Sequence, residues 1–130
     1  MCIFCDIIEG KIPSKKVYED DDVLAILDIA QTTKGHTLVM PKKHYDTYLD
    51  MPVDEFLKVQ AKVKELTPMI VAKLNATGVN TLINTNPSAG QSVMHFHTHI
   101  IPRYDENDGI TIAFKESGID LDEVLAELQK

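Results

Sequence analysis

One long stretch of the chain carries apolar residues at helical spacing. Phe56, Val59, Val63, Leu66, Ile70 and Leu74 fall on a single stripe, which predicts an amphipathic helix from about Pro52 to Leu74 with its apolar face in the core. Asp50 stands as its candidate cap, Pro52 suits the first turn, Pro68 should kink it, and Gly78 lies past its end. Elsewhere the pattern predicts strands near Lys16–Tyr18, Val23–Asp28, His36–Met40, Asn80–Asn84 and Met94–Ile101. Asp20, Asp21 and Asp22 read as the turn of a first hairpin. Short helices are expected near Cys5–Glu9 and over Leu121–Leu128, the latter capped by Asp120. Strands joined as hairpins beside separate helices predict the α+β class with an antiparallel sheet. No repeat, linker or low-complexity tract divides the 130 residues, so a single domain over 1–130 is expected.

The last strand holds the candidate chemistry. His95, His97 and His99 occupy alternate positions, which on a strand places them on one face, roughly 6.5 Å apart along the backbone. Pro102 is expected to end the run. Imidazole is a poor core filler, and a purely structural row of three is disfavoured. Two chemistries suit such a row: a metal such as zinc held by neutral nitrogens, or a nucleophile flanked by proton donors. The loop from Asn84 to Ser92 is turn-rich and uncharged. Gly90 allows close backbone approach to a ligand, and loop N–H groups with the Gln91 and Ser92 side chains form a candidate anion cradle. A phosphate suits that cradle better than a metal-bound water, since the loop lacks the carboxylate that hydrolytic metal sites usually add.

Composition narrows the classes. Hydrophobic content of 44% and charged content of 25% are those of an ordinary soluble domain. No apolar run approaches the roughly 20 residues of a membrane span, and no basic-then-apolar leader opens the chain, so a cytoplasmic location is expected. A net charge of −7 without a basic stripe argues against nucleic-acid polymers. Attraction for an anionic substrate must then be local, from loop N–H groups and protonated imidazole. Neither a P-loop nor a dinucleotide fingerprint is present, and no organic cofactor is implied.

Cys2 and Cys5 form a C-x-x-C pair. A structural disulfide is disfavoured in a cytosolic setting, and a redox role would want a strand before the pair. Zinc needs two further ligands; metal-free, reduced cysteines remain the alternative. Asp28 ends an apolar run, where it is either a ligand-binding carboxylate or a turn residue. His36 either shapes a pocket or satisfies a strand-end hydrogen bond, the second being favoured. Lys42 and Lys43 read as a solvated turn.

The segment Gly90-Gln91-Ser92-Val93-Met94-His95-Phe96-His97-Thr98-His99-Ile100-Ile101-Pro102-Arg103 resembles the histidine triad (HIT) family motif, in which histidines alternate with hydrophobic residues. The opening Cys2-Ile3-Phe4-Cys5, the stretch Gly10–Ser14, Leu27-Asp28 and the run Gly35–His44 resemble the bacterial and organellar Hint-like branch. The resemblance covers about residues 2 to 103; about 104–130 match no motif. Thr98 departs from it, standing where a hydrophobic residue is usual, and is expected to alter packing behind the strand.

The resemblance implies an antiparallel sheet of about five strands, one long helix and a two-fold homodimer. It implies a nucleotide hydrolase or transferase acting at the α-phosphate of purine nucleoside phosphoramidates or related compounds. His97 would be the nucleophile and form a nucleotidyl intermediate, its other nitrogen held as N–H by a backbone carbonyl. His99 would meet the phosphate or leaving group, and His95 would orient the array. Ser92 and Asn84 would serve the leaving group, Gly90 and Gln91 would lie at the phosphate, and Asp28 would receive the ribose hydroxyls. A structural zinc would sit on Cys2, Cys5, His44 and His95. Three alternatives stand beside this reading: a dinucleoside polyphosphate hydrolase, which the Ile100–Arg103 ending also resembles; a metallohydrolase with zinc on His95, His97 and His99; and a non-catalytic nucleotide sensor.

Overall fold

The computed structural model describes residues 2–130. Its elements in chain order are α1 (Ile3–Ile8), β1 (Lys16–Glu19), β2 (Val23–Leu27), β3 (Thr37–Pro41), α2 (Val53–Leu74), β4 (Gly78–Leu82), β5 (Thr98–Arg103) and α3 (Leu121–Leu128). The strands form one sheet in the order β1-β2-β3-β5-β4, with every neighbouring pair antiparallel. This is the expected α+β arrangement.

Side-chain alternation on β2 and β3 separates two cores. Val23, Ala25 and Val39 face α2, where they meet Val59, Val63, Leu66 and Ile70 of the predicted stripe; Phe56 and Leu74 pack at its margins. Leu24, Ile26, Leu38 and Met40 face the other way, against Phe4 and Ile7 of α1. Register carries this division into β5. His99 pairs with Leu38 and so lies on the α1 face, whereas Thr98 pairs with Val39 and lies on the α2 face.

The histidine strand differs from expectation. β5 begins at Thr98, so only His99 lies in regular structure; His95 and His97 occupy the irregular approach to it. Pro41 explains the break. Continuing the register would set Phe96 opposite Pro41, which has no N–H for a ladder. The Phe96 N–H goes instead to the Tyr45 carbonyl at 2.7 Å, and the Pro41 carbonyl accepts from the His95 ring at 2.8 Å. At its other end β5 runs through Pro102 rather than stopping there. Pro102 lies past the last β3 partner, Thr37, where β5 is paired on one side only and a residue without an N–H is tolerated. β4 likewise sits earlier than predicted.

The helix ends also shift. α2 has Pro52 at its cap position with no side-chain cap, and Asp50 closes a separate 3₁₀ turn over Tyr48–Asp50. Asn75, at φ 57°, ends α2 in the left-handed conformation, while Gly78 opens β4. The helix passes Pro68 without a break. α1 starts two residues early because the Cys2 sulfur accepts the Cys5 N–H at 3.3 Å and caps it. Asp120 caps α3 as expected.

Thr98 has a partner that its sequence context does not show. Gln60 of α2 donates its side-chain amide to the Thr98 hydroxyl at 2.8 Å behind the sheet. Thr98→Val should cost about 1 kcal/mol by stranding that amide. Combining it with Gln60→Leu should recover most of the loss, as denaturant midpoints of the four proteins in the cycle would register.

Candidate active site and metal cluster

The three histidines do not form a uniform row; each belongs to a different local network. His95 is fully buried and its ring Nε2–H donates to the Pro41 carbonyl, which leaves Nδ1 as a lone pair. That Nδ1 lies 3.4 Å from Cys2 Sγ, 3.6 Å from Cys5 Sγ and 3.1 Å from His44 Nδ1. His44 Nδ1 lies 3.3 Å from Cys5 Sγ, and its Nε2 donates to the Asp46 carboxylate at 2.7 Å. In the neutral rings both Nδ1 atoms are therefore acceptors facing each other.

A shared cation resolves that opposition. An added proton would answer the nitrogens but offer the two sulfurs nothing. Tetrahedral zinc, with bonds of about 2.3 Å to sulfur and about 2.0 Å to nitrogen, requires N···N edges of about 3.3 Å and S···N edges of about 3.6 Å. The observed separations match within a few tenths of an ångström. Cys2, Cys5, His44 and His95 thus form a group able to hold a metal ion. The outer bonds to Pro41 and Asp46 orient both rings for it.

His97 is turned differently. Its Nδ1–H donates to the His95 backbone carbonyl at 2.7 Å, which leaves Nε2 as the free lone pair. The ring is buried and stands edge-on to Phe4, with centroids 5.0 Å apart at 90°. Among the described residues, no group able to hold a metal contains His97, so His95, His97 and His99 do not assemble the expected alternative three-histidine metal centre.

The His99 ring centroid lies 4.9 Å from that of His97, and its Nδ1 is 2.9 Å from His36 Nε2. The Thr32 N–H points at His36 Nδ1 at 3.4 Å, so the neutral network places the His36 proton on Nε2, facing His99, and leaves the His99 proton on Nε2. His36 therefore braces a triad member as well as ending a loop.

Burial is the main cause of the acid shifts at all three histidines. It pushes His95 to about 4, with His44 and His97 nearby adding to the effect against the Pro41 carbonyl. It pushes His99 to about 4, helped by His97 and His36. It pushes His97 down against the opposing pull of the His95 carbonyl and Asp28. At neutral pH the rings are uncharged, which corrects the expectation of protonated imidazole.

A cavity of about 250 Å³ opens beside His97 and His99. Ile3, Phe4, Ile7, Ile26, Leu27, Ile29 and Leu38 line its apolar side, and Asp28 and Ser92 provide polar groups. Ser92 also borders the larger cavity over the cysteines, so it stands between the two centres. Asp28 takes the turn role, its Oδ1 accepting the Ala30 N–H at 2.8 Å, and it also lines the cavity.

In the loop before His95, the Gln91 side chain is engaged within the protein. Gln91 is buried and spends its side chain on the Asp46 and Val93 carbonyls and the Asn86 N–H. Gly90 adopts φ +96°, a conformation favouring glycine, and a Cβ there would lie 3.7 Å from the Asn84 amide nitrogen.

Comparison with known proteins decides the family. A HIT domain is matched over residues 9–106. The chain belongs to the HIT family. This HIT protein is 52% identical over 130 residues to an uncharacterized HIT-like protein of Methanocaldococcus jannaschii, covering 99% of each chain. It is 40% identical over 106 residues to adenylylsulfatase HINT3 of Arabidopsis thaliana, covering 82% of this chain and 54% of that one. Among solved structures it superposes on SMU.412c of Streptococcus mutans with a TM-score of 0.91 at 40% identity, covering 98% of this chain and 83% of that one. A histidine triad nucleotide-binding protein of Candida albicans gives 0.86 at 35%, covering 99% and 92%. A zinc-bound histidine triad family protein of Mycobacterium smegmatis gives 0.78 at 34%, covering 98% and 95%.

Proposed function

We propose that this HIT protein cleaves nucleotidyl compounds at the α-phosphate, with purine nucleoside phosphoramidates as the substrate class. One observation carries the reading: His97 presents a lone pair fixed by the His95 carbonyl in a buried site beside a cavity. Neutral nitrogen meets little charge repulsion from phosphoryl oxygens. His97 Nε2 bonds to phosphorus as the bond to the leaving nitrogen breaks and that nitrogen takes a proton through the Ser92 hydroxyl, which solvent replenishes; water then cleaves the nucleotidyl–histidine bond, releasing the nucleotide and returning a proton to solvent. His99 Nε2–H is placed to stabilise phosphoryl charge. Ser92 borders the leaving-group side, Asn84 near Gly90 of the same loop serves the leaving group with it, and Asp28 receives the ribose hydroxyls. Gly90 and Gln91 shape the loop. Nucleotide binding by the C. albicans protein and the adenylylsulfatase name of the plant relative support the class.

The cluster of Cys2, Cys5, His44 and His95 is the proposed structural zinc site, and the zinc-bound mycobacterial relative supports it. Zinc there would supply a fixed cross-link from the N-terminus to His95, whose carbonyl orients His97. A homodimer is proposed as well. The apolar residues Leu121, Val124, Leu125 and Leu128 of α3 are exposed in the single chain and need a covering surface. No helix is long and apolar enough to cross a membrane among the described residues.

Intact-protein mass spectrometry after brief mixing with an adenosine phosphoramidate tests the mechanism. An acid-labile nucleotidyl adduct is expected on the wild type and not on His97→Gly. Turnover without His97 would overturn the assignment. The acid shift of His97 also sets a pH profile. The reactive form is neutral, and a depressed pKa keeps it neutral further into acid. The midpoint of the acid-side fall in kcat/KM should lie below about 6.5, the value of an ordinary imidazole. Activity rising towards acid pH would contradict a neutral nucleophile.

A further inference from the structure

The loop joining β2 to β3 starts at Asp28 and ends at His36, and one side chain outside the family motif ties both ends. The Gln31 amide nitrogen donates to the Asp28 carbonyl and, at 2.8 Å, to the His36 carbonyl. Its oxygen accepts the Gly35 N–H at 2.8 Å. The amide orientation is determined by this set, because two partners only accept and the third only donates. Gly35 itself cannot be replaced freely: its φ is +95° and an added Cβ would run into the Leu74 side chain. The loop thus closes through a glycine and is held shut by a glutamine.

The clamp acts on the pocket through the two residues it joins. Asp28 lines the cavity, with its Oδ2 3.8 Å from His36 Nε2, and His36 contacts His99. Gln31 does not line that cavity. On the nucleotide reading above, on which this inference rests, the Asp28 carboxylate must be held where both ribose hydroxyls can reach it.

We propose that Gln31 is a positioning residue for Asp28 and thereby makes the pocket selective for ribose over a sugar lacking hydroxyls. The Asp28 N–H also donates to the His36 carbonyl at 3.0 Å, so releasing the clamp leaves the strand ends joined and loosens the turn between them, whose Ala30 N–H holds the Asp28 carboxylate at 2.8 Å. Hydrogen bonds to a carboxylate depend on its placement, whereas apolar burial of the base does not. A loss of ribose discrimination is therefore the specific signature.

Calorimetric titration with adenosine 5′-monophosphate and its 2′,3′-dideoxy counterpart tests this on the full chain. The wild type should prefer the ribonucleotide by at least about tenfold. In Gln31→Ala the preference should fall below about threefold, while dideoxynucleotide affinity stays within about twofold of wild type. Gln31→Glu should lose as much, because it sets carboxylate oxygen against two carbonyls. A general structural role would weaken both ligands alike and leave the ratio intact, which overturns the proposal. Wild-type selectivity retained by Gln31→Glu overturns it too, since the amide donors would then be dispensable. Equal binding of both probes by the wild type would overturn the ribose role of Asp28 and the proposal with it. Failure of the wild type to bind either probe would instead overturn the nucleotide reading.

Discussion

His97→Ala should lower turnover of an adenosine phosphoramidate by at least about 10⁴-fold while leaving mononucleotide affinity within about threefold. The size follows from what is removed: a covalent nucleophile costs several orders of magnitude when no neighbour can replace it. His99 is the nearest candidate, but its Nδ1 faces His36 at 2.9 Å and its Nε2 carries the proton in the neutral network. His95 has both nitrogens turned elsewhere, one towards the Pro41 carbonyl and one towards the cysteines. Binding should persist because the apolar cavity wall and Asp28 are untouched. The truncation also leaves a gap against Phe4, so His97→Asn, which fills part of that space, belongs beside it. Single-turnover kinetics with equilibrium binding separates the effects. Retained turnover in both variants would overturn covalent catalysis, and joint loss of binding would point to misfolding of the pocket.

Chelation should lower the thermal midpoint of the reduced protein by about 15 °C. At free zinc about 1,000 times its Kd, linkage contributes about 4 kcal/mol, which for a domain of this size corresponds to that shift. The cluster cross-links Cys2 to His95 across 93 positions, so its loss frees the N-terminus and the approach to His97 together. Without a cation, burial and then Cys2 push the Cys5 thiol up to about 11. Zinc binding near neutral pH must therefore expel thiol protons, and affinity should climb as pH rises. Cys5→Ser and His44→Ala should each abolish the response to chelator. Metal analysis should give one zinc per chain in the wild type. A midpoint unaffected by chelator, with no metal bound, would leave the thiols as hydrogen-bond donors to the two rings.

Periodicity in the chain was enough for much of the fold. The stripe from Val59 to Ile70 specified α2 and its buried face, because helix geometry repeats within the segment itself. β2 and β3 followed from short apolar runs, and Asp120 from its own capping chemistry. Resemblance to the family drew attention to Cys2, Cys5, His44 and His95 as one group, and the structure gathers all four. The strand assigned to His95 and His97 failed because its pairing depended on Pro41, a residue of another strand. Cys2 went unrecognised as a helix cap because sulfur is not among the usual capping groups. Thr98 signalled a changed environment but not its cause, Gln60, which lies on the helix behind the sheet.

By itself the sequence determined which residues carry chemistry and which local faces they share, since both depend on residue type and short-range spacing. Only the tertiary structure decided what each histidine does. His36 and His99 meet across 63 positions, Cys2 and His95 across 93, and sheet register brings them together. Tautomer, burial and acidity follow from those long-range partners, and a spacing of two residues does not encode them.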